Sequence, residues 1–303
     1  MASEFSSECL HQDLEHHGHI LPVGVPGIFG RGPQFEDVLQ RFDELVTRIA
    51  KPFGATKMAF PPCINRSILQ KSGYFESFPQ LAGTVFSFTG SDAQARELSA
   101  RIHADEPWGD LQTMTEVCLT PAACYPVYST LRGTVPENGH LIDIQNWVFR
   151  HEPSVEPTRM QAFRMREFIR VGAPDDVLEW RDNWHERGLE ILLSLQLPAR
   201  SEVASDPFFG RVGRMLANNQ KDQKLKFELT IPVISQEKPT ACCSFNYHQD
   251  KFANLFEINQ PNGERAHTAC LGFGLERITM ALFKTHGMKA DSWPASVREV
   301  LWV

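Results

Sequence analysis

Residues 267–283 run from a short extended segment straight into an apolar helical pattern. Leu275, Ile278, Ala281 and Leu282 recur at helical spacing, which places Arg277 in the first turn of a buried helix. A guanidinium there is costly unless it meets an anion, and phosphate matches its geometry. Gly272 and Gly274, just ahead, let backbone pass close to a ligand. Cys270 puts a possible metal-ligand thiol beside them. A Gly-x-Gly before a helix also occurs in dinucleotide loops, but Arg277 stands where that pattern needs its third glycine. No strand–helix–strand alternation precedes it either, so a doubly wound fold is disfavoured. The competing reading is a plain strand-to-helix turn with a surface arginine.

The rest of the chain supports an α+β fold with an antiparallel sheet. Residues 35–50 form an amphipathic helix with Phe35, Val38, Leu39, Phe42, Leu45, Val46 and Ile49 on one side. Residues 93–104 read as a second helix. Residues 174–196 read as a long third one, opened by Asp175 and Asp176. Strands are expected at 58–62, 117–120, 141–144, 146–149, 225–232 and 255–258. Residues 1–34, rich in His and Gly, read as an N-terminal extension, solvated rather than packed. His11, His16, His17 and His19 make metal binding there conceivable.

Of the 303 residues, 42% are hydrophobic and 22% charged, enough for a large core. The net charge of −7 argues mildly against tRNA or DNA as the main partner. No run approaches the ~18 apolar residues of a membrane-spanning helix, and the N-terminus lacks a signal-peptide apolar region. Seven cysteines at irregular spacings, with no Cys-x-x-Cys pair, point to reduced thiols in the cytoplasm.

A second segment carries chemistry. Phe149, Arg150 and Glu152 follow a strand, and a polar stretch leads to Arg159 and then Arg164 to Arg170. In a strand, period two places Arg164, Arg166, Phe168 and Arg170 on one side and Met165 and Glu167 on the other. Such a hairpin is a nucleotide seat in outline, arginine for phosphate and an aromatic face for a base. A solvated basic hairpin is the alternative.

These residues resemble a known pattern. Phe149-Arg150-x-Glu152, a loop, and then Arg164 with Phe168 look like motif 2 of class II aminoacyl-tRNA synthetases. Gly272 through Arg277 resembles their motif 3. The helix at 35–50 followed by Phe60, Pro61 and Pro62 is similar to their motif 1, the dimer-forming helix and strand. Ser72 to Pro79 resembles a segment of seryl-tRNA synthetases. The whole chain most resembles the bacterial amino acid:[carrier protein] ligases, with Asp206 to Ala217 and Leu225 to Leu229 adding to the match.

The resemblance implies a class II synthetase-like antiparallel sheet flanked by helices over residues 35–303, with an inserted segment at about 200–225. It implies Zn²⁺ held by Cys124, Glu167 and Cys270, at the places where atypical zinc-dependent seryl enzymes put their ligands. Two thiolates and a carboxylate suit Zn²⁺ and leave a fourth position for an α-amino group. It also implies ATP with Mg²⁺. Arg150 would hold the α-phosphate and Arg277 the γ-phosphate, Phe168 would stack on adenine, and Glu152 would contact its amino group. Arg159 and Arg164 join the nucleotide set, and Gly272 and Gly274 pass beneath it. No magnesium carboxylate is assigned. Asn246 aligns with a seryl-enzyme segment, with a capped turn as the other reading.

The implied activity is ATP-dependent activation of a small amino acid, glycine or alanine, and its transfer to the phosphopantetheine thiol of a carrier protein. A homodimer is expected, with neither tRNA nor membrane as partner, because the long helical arm that grips tRNA is missing. Arg211, Arg214, Lys221, Lys224 and Lys226 offer a basic docking face. The alternatives are a seryl-type synthetase acting on tRNA and a non-catalytic paralogue that senses an amino acid.

Overall fold

The computed structural model describes residues 7–303. The chain opens with α1 (Ser7–His16), a hairpin of β1 (Ile20–Pro22) and β2 (Phe29–Arg31), and α2 (Pro33–Ala50). There follow β3 (Thr56–Met58), β4 (Cys63–Asn65), α3 (Arg66–Lys71), α4 (Tyr74–Ser77), β5 (Thr84–Ser87), α5 (Asp92–His103), β6 (Thr113–Leu119) and α6 (Tyr125–Tyr128). The middle of the chain supplies β7 (Gly133–Thr134), β8 (His140–Phe149), β9 (Ala162–Gly172), α7 (Pro174–Ser194), β10 (Arg200–Val203) and α8 (Gly210–Asp222). Last come β11 (Lys226–Ile231), β12 (Thr240–Gln249), α9 (Lys251–Phe256), β13 (Ile258–Asn259), β14 (His267–Gly274), α10 (Leu275–His286) and α11 (Ala295–Leu301).

Seven strands form the main sheet in the order β10-β11-β12-β14-β9-β8-β3. Every pairing is antiparallel except that of β3 with β8. This is the α+β, antiparallel-rich architecture expected from the order of strand and helix patterns. The apolar stripe of α2 is buried as its periodicity requires, and Pro33 begins the helix because its fixed φ suits a first turn.

The helices α2 and α7 cover one face of the sheet. Phe42 of α2 meets Phe273 of β14 edge-on at 5.9 Å. In α7, a Cβ on Gly188 would come 2.6 Å from the Phe245 ring, so the missing side chain lets helix and sheet approach closely. The opposite face of β12, β14 and β9 carries the chemistry. Residues paired across antiparallel strands point the same way, so the register puts Asn246, Cys270 and Ile169 in one row and Ser244, Gly272 and Glu167 in the next.

Three expectations differ from what is found. The strand expected at 58–62 lies earlier, as β3 ends at Met58 and residues 59–62 are not in a strand. The segment expected as a strand at 255–258 is instead the end of α9 and the two-residue β13. Phe252 and Phe256 are four apart and buried on one side of a helix, a spacing that a short apolar run does not distinguish from a strand. Residues 10–31 are not a solvated extension either. Leu10, Leu14 and Ile20 lie in the same core as α2 and α10, and His19 stacks on Phe283 at 4.0 Å.

Candidate active site

Two strands and one helix start bring two thiols and a carboxylate together. Cys270 projects from β14 and Glu167 from β9, while Cys124 immediately precedes α6. Their ligand atoms all lie within 4.8 Å of one another, and all three residues are buried. Burial, and next the charge of Cys270, pushes the Glu167 carboxyl up to about 8, although the Ala123 N–H donates to it at 2.8 Å. The hydrogen bond between the two sulfurs, with burial, pushes Cys124 up. That same bond holds Cys270 down as the first to ionise, helped by His248. Asn246 Nδ2 and His248 Nε2 each lie 3.5 Å from the Cys270 sulfur. Three acidic groups crowded out of water are unfavourable alone, and the donor set and its burial fit a Zn²⁺ ion.

Two arginines lie on the same side. Arg150 follows β8, and its Nε donates to the Pro121 carbonyl at 3.0 Å. Its guanidinium sits over the Phe163 ring at 5.8 Å. Arg277, in the first turn of α10, donates from Nε to the Thr158 carbonyl at 2.9 Å and from Nη1 to the Ala241 carbonyl at 2.8 Å. Burial lowers its pKa, and the charge of Arg150 lowers it further. The two guanidinium groups repel each other and keep N–H donors beyond those carbonyls, an arrangement with the chemistry to receive a multivalent anion. Glu152 and Arg159 lie at the rim, 3.7 Å apart.

No protein-family model matches the chain. Amino acid–[acyl-carrier-protein] ligase 1 of Bradyrhizobium diazoefficiens is 43% identical over 281 residues, spanning 92% of this chain and 86% of that protein. The chain belongs to the amino acid–[acyl-carrier-protein] ligases. The type-2 serine–tRNA ligase of Methanopyrus kandleri is 23% identical over 282 residues, 85% of this chain but 53% of that enzyme. The fold matches a solved structure of Methanopyrus kandleri seryl-tRNA synthetase in complex with Aquifex aeolicus tRNASec at a TM-score of 0.81 and 19% identity. That match covers 96% of this chain and 59% of the synthetase, so the ligase has the fold of a class II synthetase core.

Several residues of the ligase lie elsewhere than expected. Arg164 does not face the anion site. It forms a forked pair with Glu36 at 2.7 Å and donates from Nε to Glu276 at 2.9 Å, tying β9 to α2 and α10. Phe168 cannot stack on adenine, because it is 1% exposed and stacks on Trp184 of α7 at 5.3 Å. Period two along β9 is correct, but the side bearing Arg164, Arg166 and Phe168 is the helix-covered one. Lys226 is absent from the basic face, since its ammonium is buried 2.7 Å from Asp206 and 2.9 Å from Glu228. Gly272 leaves room first for Glu167, whose Cγ would lie 3.3 Å from an added Cβ. Gly274 has the Cys242 carbonyl at the same distance. Asn246 sits in the middle of β12, not in a turn.

Sequence reasoning passed over Phe163, a buried aromatic on the same side of β9 as Glu167 whose ring lies beneath the Arg150 guanidinium. It stands four residues before Glu167 on the same side of β9, so strand periodicity anchored on Glu167 points to it. It also missed Asp206. Burial alone would raise that carboxyl, but Lys226 overrides burial and holds it down to about 2.

Proposed function

We propose that this ligase activates a small amino acid, glycine or alanine, with ATP and passes it to the phosphopantetheine thiol of a carrier protein without needing tRNA. The observation that supports this reading is the clustering of Cys124, Glu167 and Cys270, with Glu167 and Cys270 on adjoining strands, together with the carbonyl-held guanidinium groups of Arg150 and Arg277. The amino acid carboxylate attacks the α-phosphorus of ATP, and pyrophosphate leaves. The carrier thiol then attacks the carbonyl of the mixed anhydride, and AMP leaves. Arg150 and Arg277 neutralise the charge that grows on the phosphates, and Phe163 offers a ring face to adenine; Mg²⁺ entering with ATP would supply further charge neutralisation. Cys124, Glu167 and Cys270 would hold Zn²⁺, which would supply a Lewis acid for the α-amino group.

Carrier docking is assigned to α8. Its Arg211, Arg214 and Lys221 are exposed, and so are Val212 and Met215 at 69% each. An apolar stripe flanked by cations suits an acidic partner with an apolar docking face. Dimerisation is assigned to α2 and β3, because β3 ends the main sheet with an unpaired edge.

The test is ATP–pyrophosphate exchange across the twenty amino acids, followed by intact mass of a phosphopantetheinylated carrier. Exchange with glycine or alanine and aminoacylated carrier is the expected result. Charging of tRNA in place of the carrier would establish the synthetase alternative, and absence of exchange would leave an amino-acid sensor. Charge reversal at Arg211 and Arg214 should cut carrier loading about tenfold and leave exchange unchanged.

A further inference from the structure

The turn between β1 and β2 is wired into the anion site. The Gln161 N–H donates to the Gly27 carbonyl at 2.7 Å, and its side-chain amide donates to the Pro26 carbonyl at 2.8 Å. Gly27 has φ +78°, and an added Cβ would lie 3.2 Å from the Arg159 carbonyl and 3.3 Å from Gln161. Arg31 adds a bond from Nη2 to the Ala162 carbonyl at 3.3 Å. Thr158, Met160 and Gln161 are all buried, so this stretch has little freedom of its own.

The other side of the same stretch holds both arginines. The Gln161 carbonyl accepts the Arg150 N–H at 2.8 Å, and the Thr158 carbonyl accepts Arg277 Nε at 2.9 Å. The hairpin is itself anchored: Ile20 is in the core, and His19 Nε2 lies 2.8 Å from the carbonyl of Met288, two residues beyond the end of α10.

We propose that the β1–β2 turn is a positioning device for the nucleotide. Pro26 and Gly27 set the path of residues 158–161, and that path sets where Arg150 and Arg277 point. The proposal rests on the reading of these two arginines as phosphate holders. It predicts an effect mainly on ATP, because among the described residues the hydrogen bonds of Pro26 and Gly27 run to Gln161 and none runs directly to Cys124, Glu167 or Cys270. Misplacing a positioned group by about 1 Å costs up to ~100-fold in rate, so distant supports matter.

The experiment compares Gly27→Val, Gln161→Leu and Arg277→Met in ATP–pyrophosphate exchange with glycine and alanine. Val25→Ala, in the same turn with its side chain in solvent, is the control. Gly27→Val should raise the KM for ATP about tenfold and Gln161→Leu about fivefold. The amino acid KM and the zinc content should stay within about twofold of the parent, a split that mere loss of stability does not produce. If Gly27→Val fails to fold by circular dichroism, Gln161→Leu decides, since it keeps the backbone bonds. Unchanged ATP KM in the turn variants beside a raised one in Arg277→Met overturns the positioning role alone. An unchanged ATP KM in Arg277→Met overturns the phosphate reading and the turn's role with it.

Discussion

Arg164→Met separates a structural arginine from a nucleotide-binding one. Arg164 lies between Glu276, which is fully buried, and Glu36, which is partly exposed. Its guanidinium also covers the Trp147 ring at 4.8 Å. Methionine keeps most of the volume but leaves the Glu276 charge without its nearest partner, for Arg31 is 4.0 Å away. Removing one member of a buried pair costs about 3–5 kcal/mol, because the survivor stays desolvated. In a chain of this size that lowers Tm by roughly 5–8 °C. Urea denaturation should show the midpoint fall with little change in slope, while the ATP KM of the folded fraction stays within about twofold. The double variant Arg164→Met, Glu276→Gln should regain part of the loss, with a coupling of about 1–3 kcal/mol, since the orphaned charge is gone. A loss below about 1 kcal/mol together with a tenfold rise in ATP KM would return Arg164 to the nucleotide and refute the argument.

Three further outcomes are expected. Cys124→Ala should lower bound zinc from about one per chain to near zero by elemental analysis, as three donors fall to two; full retention of metal would discard the ligand set. Phe163→Ala should weaken ATP binding by about 1–2 kcal/mol, the scale of a base on an aromatic face, measured calorimetrically against a non-hydrolysable ATP analogue. Acid should destabilise the fold through Asp206. Its folded pKa is depressed to about 2, so its contribution is present above the usual carboxylate range and disappears as pH falls from about 5 toward 2. Asp206→Asn should flatten that part of the stability–pH curve, and an unaltered curve would mean that the Lys226 pair contributes nothing.

The sequence made the elements plain where periodicity was strong. The α2 stripe, the long α7 and the hairpin of β8 and β9 follow from spacing alone. The Cys124, Glu167 and Cys270 side chains are far apart in the chain, and only the resemblance brought them together on paper. What spacing could not supply was sidedness. Period two divides β9 into two faces, but which one meets helices depends on α2 and α7, hence the reversal of Phe168 and Phe163. Burial was equally hidden. Lys226 reads as one more cation beside Lys221 and Lys224, and nothing local indicates that Asp206 will reach it. The hairpin at 20–31 is short and rich in Gly and Pro, so its place in the core arises entirely from long-range packing.

The strand register also has a consequence for misfolding. Gly272 lies opposite Glu167, with Ser244 on its other side. Sliding β14 by a single residue would leave its backbone ladder intact and rotate Cys270, Gly272 and Gly274 toward α2 and α7. Such a molecule would show nearly native secondary structure by circular dichroism, yet Cys270 would no longer meet Cys124 and Glu167. On the proposed assignment of Zn²⁺ to Cys124, Glu167 and Cys270, zinc stoichiometry would report a threading error that spectroscopy of the backbone would pass over.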